Sequence, residues 1–416
     1  MSVRLALLLG AVLSLHAFFS ISDSTELRVK SLRKKRSRPL DTFSLVRSNA
    51  DFAVRLFKLL GNQYPGTNII FSPFSVTMAL DFLARGAHGP TRTEILQGLK
   101  FNVTKTPEAD IHWVFQKLLT NLSNPGMPLQ LDVNMAILLD QKVNLKENFK
   151  KEAQLLHSAD IVSTNFHDPA AAGKRISDYV KEKTHGKIKP VVKDLKTDTK
   201  MVLVDSFLFK AKWETPFPSG FDFTSTFFWI PGIWVNVPGM RIENKLTLYF
   251  WDNKHYINVV KLPYMDGRAS MLLILPNVGR MPILEAELNA EMIYFWRKSV
   301  KPRRMTLCVP KLSISRSYNL EKLLPMLGIT KIFSQKADFS GLTTDRNLRL
   351  SQVIHEVAFN MAENGTEEDI FRPQSKFIML DAYYSLNFCR PFMLAIISEE
   401  THNILFLGKV LNPKQA

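Results

Sequence analysis

The stretch NIIFSPFSVTMALDFLARGAHGPTRTEILQGLK, residues 68–100, carries two changes of backbone habit within a few positions. Ile69 to Phe71 form a short apolar run with the composition of a buried strand. Ser72-Pro73 then reads as a helix N-cap followed by proline in the first turn, where the missing N–H is no loss. Two helical runs follow, so a strand feeds directly into a capped helix.

The same habits recur along the chain. DFAVRLFKLLG (51–61) has apolar residues at helical spacing, and AAAGKRISDYVKEKTHGKI (170–188) reads as a second amphipathic helix. MVLVDSFLFKAKW (201–213), SMLLILP (270–276) and FMLAIISE (392–399) read as buried strands. Helices concentrate early and strands late, without a fixed repeat, which predicts an α+β fold rather than a doubly wound parallel sheet.

With 46% hydrophobic and 22% charged residues, the 416-residue chain has the composition of a globular protein with a full core. Its two cysteines, Cys308 and Cys389, are too few for a disulfide scaffold. Whether they meet is not readable from spacing.

Residues 1–22 read as a secretory signal peptide: Arg4 is the charged n-region, an apolar run follows from Leu5 to about Leu15, and Ser20 and Ser22 flank a cut before Asp23. The run ends at His16, short of the roughly 20 residues that a membrane span requires. No later segment is long and apolar enough to span, so an extracellular protein is expected. Residues 23–47 form a basic N-terminal segment, and the main domain is expected over 48–416. RKKRSRP (33–39) has three readings: a convertase site after Arg36, an arm for polyanions, or a solvated tail.

The formal charge is +16, and removing residues 1–36 still leaves +11. A basic surface therefore belongs to the body of the protein.

The sequence carries none of the common catalytic signatures. G-x-S-x-G, H-E-x-x-H, a P-loop and C-x-x-C are all missing from the sequence. His355-Glu356 is only the first half of a zincin motif, and the nine histidines lack ligand spacing. The expectation is a protein that is not an enzyme and needs no metal or cofactor.

Residues 68–96 together with DSFLFKAKWETPF (205–217), VPKLSISRSYNLEKLLPMLGITKIF (309–333), AENGTEED (362–369) and NFCRPFMLAIISEETHNILFLGKVLNP (387–413) resemble the signature segments of the serpins, most closely the antitrypsin-like group (clade A). The resemblance implies three β-sheets, about nine helices and an exposed reactive loop before the CRPF strand. In inhibitory members a protease cuts that loop, which then inserts as a central strand and deforms the enzyme. By that resemblance the hinge is Glu363, Asn364, Gly365 and Thr366, and the bond offered to a protease is Met379-Leu380. The sheet-opening region is Ser72, Ser75, Asp205, Trp213 and His355, with Asp205 standing where the family usually has Asn. That replacement raises the possibility of pairing Asp205 with a protonated His355.

The residues after the hinge argue against insertion. If Thr366 points into the core, strand alternation sends Glu368, Ile370 and Arg372 there too. Glu368 and Arg372 would lie roughly 13 Å apart, too far to pair, and an unpaired buried charge costs several kcal/mol. Asp369 adds another acid, and Pro373 removes a ladder N–H that a central strand needs. Asn364-Gly365-Thr366 is also a glycosylation acceptor, as are the sequons at Asn102 and Asn121.

The expected function is therefore a non-inhibitory extracellular binding protein that uses a basic surface. Arg297, Lys298, Lys301, Arg303 and Arg304 are the candidates for a heparin-like glycosaminoglycan or an anionic cell surface. Two alternatives stand beside it: a suicide-substrate inhibitor of a secreted chymotrypsin-like or elastase-like serine protease, and a carrier of a small hydrophobic ligand. Steroid binding is disfavoured, because His402 occupies the position of a steroid-holding tryptophan in one relative. A monomer without nucleic-acid partners is expected.

Overall fold

The computed structural model describes residues 42–416 apart from 102–110, 112–113, 118, 121–127, 158, 189–191, 193, 219–222, 231, 367–383 and 416. The signal peptide, Arg36, Asn102, Asn121, Glu368, Asp369, Arg372, Pro373, Met379 and Leu380 lie outside the described residues.

The first helix, α1 (Thr42–Gln63), begins within the segment that the sequence reading assigned to the basic arm, and residues 42–416 cluster as one unit. Buried β1 (Ile69–Phe71) leads into α2 (Pro73–Gly86), where Ser72 Oγ accepts the Ser75 N–H at 3.1 Å and Pro73 opens the helix. α3 (Gly89–Gly98) completes the opening stretch.

Next come β2 (Leu129–Asp140), α4 (Glu147–His157), β3 (Asp160–Thr164), α5 (Pro169–Lys183) and β4 (Met201–Ala211). The long antiparallel hairpin of β5 (Phe223–Ile230) and β6 (Ile233–Asp252) precedes β7 (Ile257–Pro263) and β8 (Ala269–Pro276). The chain continues through α6 (Met281–Glu287), α7 (Ala290–Ser299), β9 (Lys301–Pro310), β10 (Leu312–Asn319) and β11 (Gln352–Met361). It closes with β12 (Ser385–Asn387), β13 (Phe392–Ser398) and β14 (Ile404–Val410).

One sheet has the order β10-β11-β4-β2-β3. The other network runs β1-β14-β13-β8-β7-β6-β9-β12 with β5 on β6. Strand β6 serves both halves of that network: residues 223–230 and β9 pair along its earlier part, and β7 pairs with its last residues. Counting the halves separately, the three sheets implied by the family resemblance are accounted for by one sheet plus one network joined through a single long strand.

The five-stranded sheet is buried on both faces, which is why its strands read as continuous apolar runs. Ile176 and Val180 of α5 pack on Val202, Val204, Leu208 and Ile354. On the opposite face Phe406 of β14 meets Phe207 at 4.9 Å and Phe359 at 5.6 Å between ring centroids. Among the described residues no helix is long and apolar enough to cross a membrane.

Candidate functional site at the hinge and the sheet seam

Strands β11 and β4 run parallel and pair directly, from Gln352 opposite Val202 to Ala358 opposite Leu208. The seam between them is closed. A polar cluster crosses it on the face away from α5. Asp205 Oδ2 accepts from Ser75 Oγ at 2.9 Å and lies 2.8 Å from His355 Nδ1, while His355 Nε2 accepts the Ser72 N–H at 3.0 Å. With the Ser72 N–H directed at Nε2, the geometry places the donating ring N–H on Nδ1, facing Asp205. Asp205 and His355 do pair, through Nδ1, while the Ser72 N–H takes the place that a second ring proton would need.

Serine, histidine and aspartate meet here without forming a catalytic triad. The serine and the imidazole both bond to the carboxylate, no hydroxyl faces a ring nitrogen acting as base, and Ser72, Ser75, Asp205 and His355 are each at most 1% exposed. Their chemistry is mechanical. One residue from each paired strand, the N-cap Ser72 and Ser75 of α2 tie the seam shut, with Tyr318 stacked on the His355 ring.

One position along, Glu356 points to the α5 side of the sheet. It is completely buried, and Ser317 Oγ donates to its Oε1 at 2.7 Å. Burial pushes this carboxyl up to about 7, with the neighbouring Asp205 charge adding to the rise. The sequence reading took Glu356 only as part of a failed zincin motif, since nothing local in HEVAF signals its burial.

The hinge docks at the far end of the same seam. The Ala211 N–H donates to Thr366 Oγ1 at 3.0 Å, and the Thr366 N–H donates to the Ala211 carbonyl at 2.8 Å. Trp213 holds the preceding turn, its backbone N–H donating to Asn364 O at 2.8 Å and its Nε1 to Ala362 O at 2.9 Å. Tyr264 stacks on Trp213 with ring centroids 4.6 Å apart. Gly365 has φ +155°, and a Cβ there would lie 1.9 Å from the Ala211 oxygen. Only glycine fits so close to a backbone carbonyl.

Within that turn Glu363, Gly365 and Thr366 are buried while Asn364 is exposed. Lys311 Nζ reaches Glu363 Oε1 at 2.5 Å, an ion pair between positions 52 apart that the sequence did not reveal.

The polyanion candidates do not all survive. Arg297, on α7, is buried and ion-paired to Glu399, which also receives Lys261 Nζ at 2.8 Å and Ser270 Oγ at 2.5 Å. Burial pulls the Glu399 carboxyl upward, but these donors outweigh it and hold it at about 2. Arg297 is therefore a core contact rather than a ligand for an outside anion. Lys298, Lys301, Arg303 and Arg304 remain exposed, the last three on β9 rather than on a helix. Arg303 lies over the Tyr384 ring at 4.0 Å.

His402 adopts φ +61° and its carbonyl accepts from Tyr294 OH at 3.3 Å. Cys308 and Cys389 are both free thiols, and burial pushes Cys308 up to about 11.

A family model described as serpin (serine protease inhibitor) matches residues 47–413. Among curated relatives, bovine Serpin A3-8 (Bos taurus) is 43% identical over 385 residues, 92% of each chain. Human alpha-1-antichymotrypsin (Homo sapiens) is 44% identical over 377 residues, 89% of each chain. Among solved structures, human thyroxine-binding globulin in complex with its hormone matches with TM-score 0.83 and 34% identity, covering 89% of this chain and 99% of that one. Human glycosylated kallistatin matches with TM-score 0.81 and 37% identity, covering 89% and 98%.

Proposed function

The chain belongs to the serpin family, and we propose that it is an extracellular member whose reactive loop does not insert, acting as a binding protein rather than as a protease trap. The observation that carries this reading is that Thr366, buried against Ala211 where β11 and β4 would have to part, is followed by Glu368, Arg372 and Pro373. A strand continuing from Thr366 along that seam would put Glu368, Ile370 and Arg372 on the same side as its buried side chain. It would also have to displace the ladder from Gln352 to Ala358 and the His355–Asp205 hydrogen bond, gaining two unpaired charges and a proline without a donor.

Extracellular placement rests on the apolar leader of residues 1–22. Surface binding rests on Lys298, Lys301, Arg303 and Arg304, whose side chains are open to a glycosaminoglycan or an anionic cell surface. A glycan on exposed Asn364 would reinforce the block on insertion.

The test is incubation with chymotrypsin-like and elastase-like proteases. The expected product is a chain cut in the 367–383 segment with no denaturation-resistant covalent complex. Accumulation of such a complex would establish the second reading, an inhibitor cut at Met379-Leu380, which the 44% identity to human alpha-1-antichymotrypsin favours.

A further inference from the structure

Single exposed apolar residues are ordinary on a protein surface, whereas contiguous ones mark a contact. At the end of the β5–β6 hairpin Phe228, Ile230, Ile233 and Trp234 are 51%, 46%, 48% and 60% exposed. Phe228 lies opposite Trp234 and Ile230 opposite Ile233, so the four form two cross-strand apolar pairs.

The hairpin borders a cavity of about 1100 Å³ between the end of α1, α6 and the Cys389–Pro391 segment. Phe228, Trp229 and Ile230 line one side of it, and Val278 and Met281 contribute further apolar surface. Its charged groups are mostly cationic. Lys409 is paired with Glu285 at 2.6 Å, Lys58 Nζ donates to the Ala286 carbonyl at 2.7 Å, and Arg390 Nε donates to the Pro276 carbonyl at 2.9 Å. Three cations thus meet one carboxylate, and among the described residues Lys58 and Arg390 have no carboxylate partner.

We infer that this cavity binds a long-chain fatty-acid anion, its carboxylate toward Lys58 and Arg390 and its tail along Phe228, Trp229 and Ile230. An apolar wall asks for a hydrocarbon chain, and the excess of positive charge asks for an anionic head. The volume lies just above the about 300–1,000 Å³ typical of small-molecule pockets, and a concave site of that size suits one chain rather than a bilayer face. None of its residues belongs to β4, β11 or the hinge, so the inference holds whether or not the reactive loop inserts.

Gly61 supplies a clean variant. A Cβ there would make ordinary contacts, 3.5 Å from Glu285 Oε2 and 3.7 Å from Lys409 Nζ. Gly61→Leu therefore meets no clash at its Cβ and projects its side chain into the cavity, and leucine favours the helix.

The experiment is titration of the full-length secreted protein with dibromostearate, read as quenching of tryptophan fluorescence and competed with oleate. Saturable, oleate-competed quenching is expected. It should be weakened at least tenfold in Gly61→Leu, whose melting temperature is unchanged or higher, and reduced in amplitude in Trp229→Phe, where the quenching that remains, from tryptophans such as Trp234, is still relieved by oleate. Absence of saturable quenching, equal affinity in Gly61→Leu, equal competition by uncharged oleyl alcohol, or binding to phosphatidylserine vesicles without binding of free oleate would each overturn the proposal. Failure here leaves protease trapping untouched, because the two experiments read different surfaces.

Discussion

Glu356 and Gly365 show how much a single position holds in this fold. Glu356 is buried on the α5 side of the sheet, and burial pushes its carboxyl up to about 7, above its ordinary range. Its folded form therefore holds a proton that the unfolded chain has already lost between pH about 4.5 and about 7, so stability falls as pH rises through that window. At 1.36 kcal/mol per unit the effect reaches roughly 3 kcal/mol. Glu356→Gln should keep the Ser317 contact, flatten this part of the pH profile and raise the melting temperature at pH 8 relative to the unaltered protein. Melting curves at pH 5.5 and 8 check it, and an unchanged slope would remove Glu356 as its source. At Gly365 any side chain collides with the Ala211 carbonyl, so Gly365→Ala should release the hinge from β4 and expose Trp213. Loss of roughly 2 kcal/mol or more in denaturant unfolding, with a red shift of tryptophan emission, is the expected pair of signals.

At the scale of elements, the readings that depended on local pattern correspond closely to the structure. The Ser72-Pro73 start of α2, the long apolar strand at 201–211 and the helix near residue 170 all follow from cap chemistry, burial on both faces, or helical period. The features that escaped were long-range. Arg297 looked like one of five clustered surface cations, but its partner Glu399 is 102 positions away. Lys311 and Glu363 meet because the antiparallel β10–β11 ladder sets Leu312 opposite Met361, which brings the residues just beyond that pair together. The apolar hairpin was written plainly as TFFWIPGIWV, residues 226–235, yet its exposure depends on what the fold leaves uncovered there. The reactive strand belongs to this scale too. Replacing Glu368, Arg372 and Pro373 together by alanine should give a chain that gains thermal stability once nicked in the 367–383 segment, by removing the charges and the missing donor that oppose pairing with β4 and β11. If the triple variant behaves like the unaltered chain, those three residues are not what prevents insertion.

The whole molecule joins a closed five-stranded sheet to a basic exterior. Clustered lysines and arginines bind polyanions with a strong salt dependence, so exposed groups and buried ones separate experimentally. Lys298 and Lys301 changed to alanine should lower the salt concentration needed to elute the protein from immobilised heparin while leaving melting unchanged. Arg297→Ala should leave elution nearly unchanged but destabilise the fold by roughly 1–3 kcal/mol, since Glu399 loses a charged donor. The central claim concerns the seam between β11 and β4, and the most direct measurement is thermal unfolding of the purified protein, intact and after one protease cut in the 367–383 segment. The account predicts no increase in melting temperature on cutting, because no strand enters the sheet; a large increase would mean that the loop inserts past Glu368, Arg372 and Pro373, and would contradict it.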